Sequence, residues 1–208
     1  MIITYNTLES FKVQFGDAVL AFNPVSKKSK HTATSYGADV VLVSVNHPDM
    51  NGAETVARGD ASPLVISGPG EYELNGIVIR GYSSKSMYDG KERLNTVYLV
   101  TLEDMKMCFC GALSDGQLSS ELYEVLDDVD ILFLPIGGDG VLDARAAHKL
   151  SVSLEPHVVI PMHYTADTLK AFLKEEGETG ASATDKVTLR KKEVIEKEGE
   201  VIVLSPQV

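Results

Sequence analysis

The chain has 208 residues, 44% hydrophobic and 24% charged, with a net charge of −11. That length buries one sizeable core and predicts a single domain over residues 1–208. The acidic balance excludes nucleic acid and anionic membranes as partners, since both need concentrated lysine and arginine, and no stretch nears the roughly 20 apolar residues that span a bilayer.

The first residues, MIITYNTLES, lack the basic start and long apolar run of a signal peptide. Residues 2–5, 11–15 and 18–22 are short β-rich runs, with Gly16-Asp17 as a hairpin signal between the last two. Residues 23–36 carry Pro24, Lys27, Lys28, Lys30 and His31 and read as an exposed loop. Residues 38–45, ADVVLVSV, are nearly all apolar, as in a strand covered on both faces. Strands over 64–67 and 77–82 flank the turn signals Gly68-Pro69-Gly70 and Asn75-Gly76. Residues 95–102 and 105–110 form a hairpin across Glu103-Asp104. Its second strand holds Cys108 and Cys110, the only cysteines, on one face in a poor geometry for pairing. A reduced cytoplasmic protein is expected.

The hydrophobic period then changes. Leu118, Leu122, Val125 and Leu126 predict an amphipathic helix over 117–126. A buried strand over 131–135 follows, then a helix capped by Asp143 and running to about Leu154. Residues 158–161 read as strand, 166–175 as helix, and 186–189 and 200–204 as strands around the charged stretch 190–198. A β-meander, then alternating α and β, then a last strand suits two packed sheets with helices outside them.

Two histidines stand at the ends of buried strands, where a sheet fixes side-chain direction and the next loop opens a cleft. Strand ADVVLVSV runs into Asn46-His47-Pro48-Asp49-Met50, and strand HVVIP runs into Met162-His163-Tyr164. With SGPGEYELNGIVIRGY, NTVYLVTLEDMKMCFCGAL and DVDILFLPIGGDGVLDARAAHKL between them in order, the chain resembles the metallo-β-lactamase superfamily, in its branch of small cytoplasmic lactonase-like and Zn-dependent hydrolases. The resemblance covers most of the chain and implies an α/β four-layer αββα sandwich.

The resemblance also implies a ligand set. Such proteins hold two Zn²⁺ with His and Asp and use a metal-bound hydroxide as nucleophile. The first motif histidine falls on Val45, the second on His47, the aspartate on Asp49 and the last histidine on Met50. The histidine of the H-L-G-D motif falls on Phe109, its bridging aspartate on Ala112, and the terminal histidine on His163. Asn23 stands where the I-D-P aspartate would lie. Val45, Met50, Phe109 and Ala112 offer no ligand, so a repacked site is expected, with Phe109 filling the place of metal. His47, Asp49 and His163 are expected to survive as a hydrogen-bonded His–Asp–His cluster.

The expected function is a non-catalytic or much-altered binding or interaction module without a cofactor. The alternative is a hydrolase of lactone or phosphate-ester type with one zinc at His47, Asp49 and His163. The partner is a small molecule or a protein, and a homo-oligomer is compatible with the sequence. Gly137-Gly138-Asp139-Gly140 reads as a turn before the Asp143 cap, and Lys27, Lys28 and Lys30 as a solvated loop that with His31 could meet an anion. His148 and His157 are assigned no role.

Overall fold

The computed structural model describes residues 1–59, 62–178 and 180–207. Six strands form one sheet in the order β12-β1-β2-β3-β4-β5. They are β1 (Ile2–Thr7), β2 (Ser10–Phe15), β3 (Ala18–Phe22), β4 (Val40–Leu42), β5 (Leu64–Ile66) and β12 (Lys186–Thr188). The second sheet has seven, in the order β13-β11-β10-β9-β8-β7-β6. They are β6 (Gly70–Leu74), β7 (Ile77–Ser86), β8 (Arg93–Leu102), β9 (Met105–Phe109), β10 (Ile131–Pro135), β11 (Val158–Met162) and β13 (Glu200–Val201). Each sheet starts as an antiparallel meander and continues with parallel strands.

The sheets meet through interleaved aromatic rings. Phe11 and Phe22 of the first sheet lie 4.9 Å from Phe133 and Phe109 of the second, and Tyr5 stacks on Phe11 at 4.8 Å. Strand alternation explains the rest of the core. On β3 and β4, Leu20, Phe22, Val40 and Leu42 face the sandwich interior. Their neighbours Val19, Ala21 and Val41 join Val43 and Val56 in a second cluster on the other face. Burial on both faces is why ADVVLVSV is apolar throughout. Tyr36, Ala38, Ala53 and Val56 pack on that outer face, with one 3₁₀ turn at Ala53–Thr55, so this outer layer is thinner than the expected helical one.

The helices α1 (Ser120–Val125), α2 (Ala144–Leu154), α3 (Ala166–Glu175) and α4 (Lys191–Val194) follow the second meander. Asp143 caps α2 as expected, its Oδ1 accepting from the Ala146 amide at 2.8 Å, and α2 packs on β10 and α3. Helix α1 is shorter than predicted because Ser119 caps it, accepting from the Leu122 amide. The strand predicted over 38–45 keeps ladder pairing only over Val40–Leu42; beyond it, the Ser44 amide turns to the Asn23 side chain. The charged stretch 190–198 contains α4, which Lys191 anchors to the fully buried Asp130 at 2.7 Å. No helix among the described residues is long and apolar enough to cross a membrane.

Phe109 is fully buried and touches Phe22 and Phe133 rather than the cleft residues, so it belongs to the core between the sheets. Phe109→Ala is expected to destabilise the fold by about 3–5 kcal/mol, the cost of emptying a core aromatic site. An unchanged denaturation midpoint in that variant would contradict this placement.

Candidate functional site

At one end of the sandwich a cleft of about 730 Å³ opens, lined by His47, Asp49, Tyr88 and His163 among others. Six segments build it, with Lys28–His31 from the loop after β3 and Asp139 from the turn after β10. The loop after β4 carries His47 and Asp49, and the end of β11 carries His163. The β1–β2 turn supplies Leu8 and the β7–β8 hairpin supplies Tyr88.

Buried asparagines fix two of the approaches. The Asn23 side chain accepts from the Ser44 amide and donates to the Ser44 hydroxyl, both at 2.8 Å. Asn95 donates to the Cys110 carbonyl at 2.9 Å and accepts from the Ala112 amide at 3.1 Å. Gly111 passes between them at φ 59°, where a Cβ would lie 2.4 Å from Ser44 and 2.6 Å from Asn95. Only glycine fits there.

The polar residues face one cleft but bond differently from the expected His–Asp–His cluster. Asp49 accepts from the Ser29 hydroxyl at 2.5 Å through Oδ1 and from the Tyr88 hydroxyl at 2.7 Å through Oδ2. Burial works against its charge, but those two bonds with His47 and His31 outweigh it and hold the carboxyl below its usual range. The Asp49 amide donates to His47 Nδ1 at 3.3 Å, so that nitrogen is an acceptor and its 3.4 Å approach to the carboxylate is proximity alone.

His163 turns instead to Glu9, its Nδ1 lying 2.6 Å from Oε1. A carboxylate only accepts, so Nδ1 carries the proton and Nε2 is left for the cleft. Burial pushes the imidazole pKa down, but the charge and hydrogen bond of Glu9 more than reverse this and hold it above its ordinary value. The Glu9 side chain is fully buried, and its Oε2 has no hydrogen-bond partner among the described residues.

Tyr88 touches all three of the surviving residues. Its ring lies edge-on to His47 at 5.1 Å and to His163 at 5.6 Å, while its hydroxyl holds Asp49. Burial and that bond, with the negative charges around it, push the phenol far above its usual range, so it stays protonated. Behind the ring, Val45, Met50 and Ala112 form a buried cluster with Tyr88 and Val141. Three of the four positions that the resemblance assigns to lost ligands thus pack together. The aromatic beside the surviving donors is Tyr88, not Phe109.

Glu9, Ser29 and Tyr88 were not singled out from sequence, because each sits in a polar turn or loop. The Gly137–Gly140 turn has a closer role than expected. A Cβ at Gly137 would lie 2.0 Å from the His163 carbonyl, and one at Gly140 would lie 2.6 Å from that of Met87, so the turn braces both walls. Lys28, Lys30 and His31 line the cleft, whereas Lys27 and the Gly68–Tyr72 stretch do not. Cys108 and Cys110 are buried free thiols. His148 and His157 lie outside the cleft lining, His148 beside Glu176 and His157 bonded to the Lys197 carbonyl.

A beta-lactamase superfamily domain model matches residues 2–163. A UPF0173 metal-dependent hydrolase of Thermococcus onnurineus is 29% identical over 153 residues, 61% of this chain and 67% of that protein. Another from Pyrococcus furiosus is 28% identical over 185 residues, 76% of this chain and 79% of its own. Among solved structures, a candidate Zn-dependent hydrolase of the metallo-β-lactamase superfamily from Thermotoga maritima superposes with a TM-score of 0.80 at 26% identity, covering 99% of both chains.

Those names overturn the expectation that no cofactor is involved, because they point to a metal. The side chains do not fit the two-ion centre. Apolar residues hold the substituted positions, and among the described residues no three His, Cys, Asp or Glu side chains converge on one point.

The Glu9–His163 pair has a measurable signature. A raised imidazole pKa contributes stability that is fully present below the unfolded-state value, about 6.5, and lost as pH rises through the folded-state value. Glu9→Gln is therefore expected to lower the His163 titration, followed by imidazole NMR, and to erase that stability on the acidic side. A His163 titration unchanged by the substitution would rule out the pairing.

Proposed function

Because this chain belongs to the beta-lactamase superfamily, we propose that it is a much-altered member whose cleft works as a small-molecule binding site and not as a two-ion hydrolytic centre. The observation that carries this is the buried cluster of Val45, Met50, Ala112 and Tyr88. Val45 and Ala112 carry no lone pair and the soft Met50 thioether is a weak donor for zinc, and loss of the bridging aspartate at Ala112 removes the group that would hold two ions together. Apolar replacement also spares the fold a buried unpaired charge, worth several kcal/mol.

The cleft lining suits a ligand with both anionic and hydrogen-bond-donating groups. Lys28, Lys30 and His31 come from one loop, and Asp89 and Asp139 from two others. Within it, Glu9 orients His163, and Tyr88 with Ser29 orients Asp49.

The relatives' names, metal-dependent hydrolase, support a metal and hydrolysis, and a second reading is a single-metal hydrolase of lactone or phosphate-ester type. Its donors would be His47, Asp49 and His163. Glu9 on Nδ1 is the kind of partner that commonly steadies a ligating histidine.

Elemental analysis of protein purified without chelator separates these readings. Fewer than two zinc or iron atoms per chain are expected. One atom per chain would carry the single-metal reading, and about two would overturn both.

A further inference from the structure

The cleft gathers basic side chains that the rest of the molecule leaves unneutralised. The chain carries 30 acidic and 19 basic residues, so its lysines have an excess of carboxylates to pair with. Lys28, Lys30 and His31 line the cleft, yet they enter no ion pair among the described residues.

Carboxylates do adjoin their loop, but they bind its serines and backbone. The Ser26 hydroxyl and the Lys27 amide both donate to Glu54 Oε1, at 2.6 and 3.1 Å. Within the turn, the Ser26 carbonyl accepts from the Ser29 amide at 3.0 Å, and Ser26 Oγ from the Lys28 amide at 3.2 Å. Ser29 closes it, donating to Asp49 Oδ1 while its Oγ accepts from the His31 amide at 2.9 Å. The turn is thus fastened at both ends to acids, and its cationic side chains are left to the cleft. On the same cleft, His47 Nδ1 accepts from the Asp49 amide, so the neutral imidazole carries its proton on Nε2. Asp89 stands 3.9 Å from that nitrogen, beyond hydrogen-bond reach.

Unpaired cations and an unspent N–H call for an anion, and their types narrow its class. Planar carboxylates are best met by the arginine fork, and no arginine among the described residues lines the cleft. Two lysine point charges with imidazole N–H groups suit a compact tetrahedral group instead, of about −1.5 to −2 charge at neutral pH, as in a phosphate monoester.

We infer that the turn of residues 26–31 is an anion receptor: Lys28, Lys30 and His31, with the Nε2–H of His47, hold the phosphate group of a small phosphate monoester. This rests on the reading above that the cleft is a small-molecule site and not a two-ion centre. Asp89 and Asp139, from the other loops, then favour hydroxyl or amine donors on the rest of that ligand.

The test is titration with inorganic phosphate at constant ionic strength, before and after chelator treatment, followed by phosphorus and imidazole NMR. Phosphate is expected to move the His31 and His47 resonances and to leave His148 and His157, outside the cleft, in place. Replacing both cleft lysines, Lys28→Gln with Lys30→Gln, is expected to weaken binding about tenfold or more, the worth of a charged hydrogen bond. Lys27→Gln removes the same charge one residue away but outside the cleft lining, and is expected to change affinity less than about twofold, since solvent and salt screen it. Acetate is expected to bind much more weakly than phosphate.

Equal weakening by Lys27→Gln would reduce the effect to diffuse attraction and overturn the receptor. Acetate binding as tightly as phosphate would overturn the ligand class. Binding that vanishes with chelator would hand the anion to a metal and overturn the role of the turn, as would a parent that gives no phosphate response. Should the double variant fail to fold, the two single lysine variants decide. About two zinc or iron atoms per chain would instead overturn the reading beneath the proposal, a result read from metal content and separate from these titrations.

Discussion

A carboxylate removed from water must be met by donors or cations, or its burial costs several kcal/mol. Three buried carboxylates among the described residues impose that constraint here, and each is met differently. Asp130 takes the Lys191 ammonium through both oxygens, together with the Lys106 amide at 2.7 Å. Asp49 takes two hydroxyls, and Glu9 takes one imidazole. Asp130 binds the C-terminal helix to the second sheet and is structural. The other two lie at the cleft, where hydroxyl and imidazole groups satisfy them.

The geometry of the cleft follows from packing set well away from it. The rings of Phe11, Phe22, Phe109 and Phe133 hold the sheets face to face. At the cleft end, Asn23 and Asn95 fasten the loops that leave β4 and β9. Asn23 stands where the resemblance would place a motif aspartate. An amide there both donates and accepts, so it satisfies Ser44 without bringing another negative charge into the interior.

Much of this was legible from the residues themselves. The helix 166–175 and the Asp143 cap are local features, set by periodicity and by one side chain reaching three residues along. His47 and His163 were legible as ends of buried strands. The thin outer layer over β3 and β4 was not, since an apolar run shows that both faces are covered but not by what. Phe109 was placed in the cleft because the motif position suggested it. Strand alternation turned it into the core, and a tyrosine from a polar hairpin stands beside the donors instead. Glu9 was invisible for a related reason. An acidic residue after Leu8 in a β-turn reads as solvent-facing, and only contact with the end of β11 buries it.

That contact spans nearly the whole chain. The His163 amide donates to the Leu8 carbonyl at 2.8 Å, with Leu8 at φ 51° and His163 at φ 52°, and Glu9 lies 154 positions from its imidazole. During synthesis, a ribosome that has reached Pro161 has made every segment of both meanders, yet Glu9 still lacks its partner. The first hairpin thus cannot settle with a buried carboxylate until β11 arrives. Closure over that span is slow compared with forming a local hairpin. The same residue that orients the cleft histidine thus ties the first hairpin to the end of β11 across nearly the whole chain.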